Sequence, residues 1–136
     1  MNIRDATASD IDALLDLWRR AGAAPSVTDT VHDVARVVAS PAASVLVAVD
    51  GGTVIGSVIA AFDGWRGNFY RLAVDPARRR SGIARQLVDA GEGRLRALGV
   101  RRASALVEGH RPIAQAFWSA SGFDHHEGMR RYTKTL

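Results

Sequence analysis

The sequence contains no cysteine. Disulfides and thiolate metal sites are therefore excluded, and a reducing compartment, the cytoplasm, is the expected location. Long apolar runs are also missing. The longest, Ser44 to Val49 and Thr53 to Phe62, stop far short of the roughly 20 residues that a spanning helix requires, so no membrane partner is expected. The opening MNIRDATASD has neither the apolar core nor the small-residue cleavage site of a secretory signal. Lysine is nearly absent: Lys134 stands alone among 18 basic residues, a preference that codon bias can produce without any function. Aromatic residues make up only 7% of the chain, and although single ones adjoin arginine, as at Trp65-Arg66 and Tyr70-Arg71, they build no run of interleaved exposed aromatics. With a net charge of only +4, this leaves no platform for stacking bases, and no nucleic-acid partner is expected.

What remains is an ordinary globular composition. Hydrophobic residues account for 47% and charged ones for 24% of 136 residues, enough for one domain with a sizeable core over residues 1–136. No linker, repeat or low-complexity tract interrupts it. A short strand, NIRDA, leads into polar cap candidates at Thr7 to Asp10, and Ile11, Leu14, Leu15 and Trp18 then recur at helical spacing up to Ala21-Gly22. A second helix is predicted from Asp29 to Ala39. Two strands follow, Ser44 to Val49 and Thr53 to Phe62, joined by Asp50-Gly51-Gly52, a strong hairpin signal. A turn at DGWRG then introduces a third strand, Asn68 to Val74.

From Gly82 the period changes. Ile83, Leu87, Val88, Leu95 and Leu98 trace one helical face, with Gly99 at the left-handed terminal position. Gly91 and Gly93 each weaken this helix by about 1 kcal/mol relative to alanine, so packing has to hold it. A strand from Ala103 to Glu108, a short helix from Ile113 to Ser121 and a closing hairpin in GFDHHEGMRRYTKTL complete the prediction. The order β-α-α-β-β-β-α-β-α-β-β describes a mixed α/β fold with helices on both faces of the sheet. His125 and His126, adjacent in the last hairpin, would point to opposite faces and form no metal pair.

Between the third strand and the long helix lies DPARRRSGIA. Gly82 lets a backbone come close to a ligand, the first amides of the helix are free, and arginines supply donors for phosphate oxygens. A pyrophosphate cradle fits this pattern; a plain helix start with solvated arginines fits it too. A Walker loop is excluded because Ile83-Ala84 follows the glycine, and a dinucleotide fingerprint because the turn holds one glycine rather than three.

LAVDPARRRSGIA resembles the acyl-CoA signature of the GNAT N-acetyltransferase superfamily, Gln/Arg-x-x-Gly-x-Gly/Ala after a strand ending in Val-Asp-Pro. Arg79, Gly82 and Ala84 fill its three places. AQAFWSASGF resembles the family's late helix, and DGWRGNFYRLAV is similar to a group of small bacterial members. The likeness extends over essentially the whole chain. It implies the acyl-CoA N-acyltransferase fold, a mixed, mostly antiparallel sheet with a splayed parallel strand pair.

It also implies acetyl-CoA as co-substrate and no metal. Pantetheine would bond the main chain of Leu72, Ala73 and Val74, and pyrophosphate the segment Arg79, Arg80, Ser81, Gly82, Ile83 and Ala84; the side chain of Arg78 need not take part. A primary amine, of a small molecule, amino acid or peptide, would attack the thioester directly, with a main-chain amide near Leu72 stabilising the oxyanion. The glutamate common on the next strand falls on Leu106, so Glu108, on the same face if the strand continues, and His110 are the candidate bases. The usual tyrosine acid falls on Trp118, and the asparagine seven residues earlier on Arg111. These departures leave an acyl-CoA-binding sensor with little catalysis as the alternative. Trp65, Arg66 and Tyr70, with Trp18, are expected near the amine, although Trp18 also fits a core position. The family implies a monomer or a homodimer.

Overall fold

The computed structural model describes all residues, Met1–Leu136. They divide into two compact units, Met1–Ser104 and Ala105–Leu136. In the first unit the chain runs β1 (Asn2–Asp5), α1 (Ile11–Arg20), α2 (Val31–Ala39), β2 (Ala43–Asp50), β3 (Thr53–Phe62), β4 (Gly67–Val74) and α3 (Ile83–Ala97). Strand β5 (Ala103–Ala105) carries it across the boundary, and α4 (Pro112–Ala120) is the helix of the second unit. The sheet order is β1-β2-β3-β4-β5, antiparallel from β1 to β4 and with one parallel pair.

The helices of the first unit cover both sheet faces. Ile11, Leu14, Leu17 and Trp18 of α1 and Val34 of α2 pack with Val45, Val47 and Ile59 on one side. On the other side α3 lies close to the sheet because glycines admit it. A Cβ at Gly56 would meet Ile83 and Leu87 at 3.0 Å, and one at Gly91 would meet the Phe69 ring at 2.7 Å. The helix-weakening Gly91 is thus the place where helix and strand come into contact.

Thr7 and Asp10 staple the start of α1. Asp10 accepts from the Thr7 amide at 2.8 Å and receives both guanidinium nitrogens of Arg4 at 2.7 and 3.0 Å. The β2–β3 turn takes the left-handed conformation at Gly51 and Gly52, as Asp-Gly-Gly predicts, and Gly99 takes it after α3.

Three predictions need correction. No strand forms in 122–136, where the closing hairpin was expected. That segment, rich in charged and polar residues, has no alternating apolar face to bury, and its Met129 and Tyr132 are exposed. Strand β5 stops at Ala105 rather than Glu108, so Leu106 and Glu108 do not share a strand face. Leu98 is 48% exposed and leaves the buried face of α3, because it lies past the last helical residue.

Candidate functional site

Strand β4 carries an irregularity at its centre. Ser57 pairs with Ala73 and Ile59 with Tyr70, so Arg71 and Leu72 together oppose Val58 alone. Such a bulge places an extra residue in the strand and turns the local backbone. At Arg71 the backbone adopts φ 53°, the left-handed region that side-chain-bearing residues rarely occupy.

Two sets of contacts hold it there. The Ser57 hydroxyl, completely buried, donates to the Arg71 carbonyl at 2.8 Å and accepts from the Trp18 indole at 2.9 Å. The Arg71 guanidinium bonds both Asp29 oxygens at 2.7 Å and the Ala24 carbonyl at 3.1 Å, and lies 5.3 Å from the Trp18 ring centroid. Asp29 and Trp18 also line a cleft of about 360 Å³ with Leu15, Arg19, Ala23 and Pro25. Tyr70, cross-strand from Ile59, belongs to this same side of the sheet and is 46% exposed.

Beyond β4 the chain turns sharply. Asp75 accepts from the Ala77 amide at 2.9 Å and from Arg20 at 2.7 Å, and these two donors, the amide first, hold its carboxyl below the usual range. Pro76–Arg78 form a single 3-10 turn. Arg78 reaches back to Asp50 and lowers that carboxyl, so its charge is already matched within the protein. Arg79 donates to the Ala21 carbonyl at 3.2 Å, at the end of α1. Ser81 donates through its hydroxyl to the Arg78 carbonyl.

Arg80 is the second side-chain-bearing residue at positive φ, 66°, and is exposed. Gly82 caps α3 at φ 78°, and nothing lies within 4 Å of where its Cβ would be. A left-handed glycine with open space above it thus stands at the start of a fifteen-residue helix, the kind of place where backbone amides can face an anion. The arginines, however, are not three equivalent donors: Arg78 is bound to Asp50, Arg79 to main chain, and Arg80 stands toward solvent. A cleft of about 300 Å³ lies beside the turn, lined in part by Ile55, Ala77, Arg79 and Ser81.

Strand β5 has three residues against eight in β4, and the Gly67 amide at the start of β4 donates to the Arg102 carbonyl just ahead of β5 at 3.0 Å, so β5 begins beside the start of β4 and is too short to follow its whole length.

Trp65 and Arg66 sit at the β3–β4 hairpin tip, at the opposite end of β4 from the arginine–glycine turn. Asp63 accepts from both their amides, at 2.9 and 2.7 Å, which lowers its carboxyl. The Arg66 guanidinium stacks 4.0 Å above the Trp65 ring, which is 73% exposed. At about 3.3 Å per residue, the tip lies roughly 16 Å along the strand from Arg71.

In the second unit Glu108 meets His110 at 2.9 Å and Arg111 at 3.6 Å, and its carbonyl, with that of Gly109, receives Gln115. Glu108 and His110, read separately from the sequence, therefore form one pair. Trp118 packs edge-on against Phe117 and Phe123. No group of three or more histidine or acidic side chains is placed to hold a metal ion, and no helix is long and apolar enough to cross a membrane.

Ser57, Asp29 and the role of Arg71 were not anticipated. A serine inside an apolar strand was the only signal for the first, and no local pattern announces a bulge at arginine.

Residues 11–123 match the model of the acetyltransferase (GNAT) family. Among solved structures, an aminoglycoside 6′-N-acetyltransferase from Acinetobacter haemolyticus superposes with TM-score 0.83 at 21% identity, over 100% of this chain and 99% of that one. The PaiA N-acetyltransferase from Thermoplasma acidophilum, bound to coenzyme A, gives 0.86 at 15% identity, over 94% and 92%. A protein from Clostridium acetobutylicum described as a predicted acetyltransferase, bound to acetyl-CoA, gives 0.82 at 16% identity, over 97% and 95%.

Proposed function

Because the chain belongs to the acetyltransferase (GNAT) family, we propose that it transfers the acetyl group of acetyl-CoA to a primary amine by direct attack in a ternary complex. The observation that carries this reading is the succession of two features: a bulged centre of β4 at Arg71–Leu72 and, beyond the end of that strand, the left-handed Gly82 with open space above it at the start of α3. In the reading, the pyrophosphate of the coenzyme lies on the amides from Arg79 to Ala84, with Arg80 and Arg79 contributing charge. The pantetheine arm bonds Leu72, Ala73 and Val74 along β4. The family match spans both compact units, which supports taking residues 1–136 as one functional domain.

Attack by the amine nitrogen on the thioester carbonyl forms the carbon–nitrogen bond and moves charge onto oxygen, where the Leu72 amide donates. Collapse expels the coenzyme thiolate. A thiol with a pKa near 8.5 leaves without obligatory protonation, so a tryptophan at 118 does not block the reaction. The amine must lose its proton. A lysine-type amine of pKa about 10.4 is neutral about once in 2,500 molecules at pH 7, a cost of roughly 4.6 kcal/mol, whereas an α-amine near 7.7 to 8.0 costs only about 1 to 1.4 kcal/mol. The Glu108–His110 pair is the candidate proton acceptor in either case. We place the acceptor amine on the side of the sheet bearing Trp18 and Tyr70, and the reaction in the cytoplasm.

Mass analysis of single turnovers tests the direct attack. Acetyl-CoA mixed with the protein alone should leave the protein unacetylated, and an added amine should gain one acetyl group as free thiol appears. An acetylated protein formed before the amine is added would contradict it. Tight acetyl-CoA binding without transfer to any amine would favour the sensor instead.

A further inference from the structure

The planar peptide between Arg71 and Leu72 carries the Arg71 carbonyl at one end and the Leu72 N–H at the other. In a trans peptide these two groups point in opposite directions. Whatever fixes the carbonyl therefore aims the amide. The carbonyl is held by Ser57, whose hydroxyl has one proton. Indole nitrogen can only donate, so the Trp18 contact takes a lone pair of that hydroxyl and leaves its proton committed to Arg71. Ser57 and Asp10 are the only buried polar side chains, and Ser57 is 0% exposed, a costly placement unless both bonds are made. On the far side of the same residue, Asp29 and Ala24 grip the guanidinium from the connection between α1 and α2.

We propose, resting on the reading that Leu72 receives the oxyanion, that Ser57 is a positioning residue: with Trp18 behind it, it holds the Arg71–Leu72 peptide plane so that the Leu72 amide points at the reacting carbonyl. The left-handed backbone at Arg71 is the strained state that this bond stabilises. The bulge would otherwise relax, and the amide would rotate away without changing how the coenzyme binds at Gly82. Ser57 acts on the chemical step alone.

The test is the kinetics of Ser57→Ala, with Val88→Ala as a control for lost stability, since Val88 is fully buried on α3, across the sheet from this network and outside the core cluster that holds Trp18. The expected result is a fall in kcat of about tenfold, less than the 10²–10³ of removing an oxyanion donor outright. The KM for acetyl-CoA should stay within about twofold, and Val88→Ala should keep its kcat. Trp18→Phe, which keeps a ring but frees the hydroxyl to rotate, should give a smaller fall of the same kind and serves if Ser57→Ala does not fold. An unchanged kcat in both network variants, or equal losses in Ser57→Ala and Val88→Ala, would overturn the proposal. The backbone amide resonance of Leu72 is read in parallel: it should shift in Ser57→Ala and stay in place in Val88→Ala. A wild-type protein that transfers no acetyl group would overturn the reaction instead. An unmoved Leu72 resonance would overturn the positioning role whether or not transfer occurs.

Discussion

Asp29 and Arg71, 42 positions apart, meet through two hydrogen bonds of 2.7 Å, and both side chains are largely shielded from water. Both bonds leave the one nitrogen Nη2, while Nη1 donates to the Ala24 carbonyl, so the planar guanidinium serves two separate acceptors in a fixed geometry that a lysine ammonium does not reproduce. The pair ties the connection after α1 to the residue at which β4 bulges.

Arg71→Lys is therefore expected to lose about 1–2 kcal/mol of stability despite keeping the charge, and Asp29→Asn a similar amount. Chemical denaturation of both single variants and the double variant measures this. A coupling of about 1 kcal/mol is expected, and strict additivity would show that the pair contributes nothing.

The two glycines inside α3 should behave oppositely. Gly93 has open space around its Cβ position, so Gly93→Ala should stabilise the protein by about 1 kcal/mol. At Gly91 a methyl would stand 2.7 Å from the Phe69 ring, and Gly91→Ala should destabilise by about 1–3 kcal/mol even after the gain in helix propensity. Thermal unfolding of the two variants distinguishes them.

These glycines also show what could be read beforehand. Their cost to the helix was legible, since propensity is a local property; which one makes a contact was not, because that depends on Phe69 across the interface. The same division runs through the site. The cradle at Gly82 was legible because its ingredients are consecutive. The bulge at Arg71 was not, since it depends on Ser57, Trp18 and Asp29, which lie far away in sequence. The absent C-terminal strands show the limit from the other side: turn residues such as Glu127-Gly128 mark a bend, but a strand also needs an apolar face with something to pack on.

Asp10 gives the stability an acid limb. Its carboxyl is lowered to about 2, first by the hydrogen bonds from Arg4, against desolvation that works the other way, and then by the Thr7 amide. A carboxyl depressed in the folded state stabilises above its unfolded pKa near 3.8, and that contribution is lost as pH falls from about 4 through about 2. The difference amounts to about 2 kcal/mol. Denaturation midpoints measured between pH 6 and pH 2 should fall in the wild type, and Asp10→Asn should show a flatter profile from a lower starting value.

The arginines of the turn should separate in coenzyme binding. Arg78→Ala should leave the KM for acetyl-CoA within about twofold, because Arg78 is paired with Asp50. Arg80→Ala should raise it about three- to tenfold, and raised salt should weaken wild-type binding more than it weakens Arg80→Ala. Gly82→Ala should raise KM as well, since alanine at φ 78° costs about 1–2 kcal/mol and shifts the cradle.

Thiol release from acetyl-CoA, followed against pH with amino acids, short peptides and polyamines as acceptors, decides whether the protein transfers acetyl to an amine. Release that depends on the amine and rises as pH approaches the amine's own pKa is the predicted result. Release indifferent to every amine at every pH, from a protein that still binds acetyl-CoA, would contradict it.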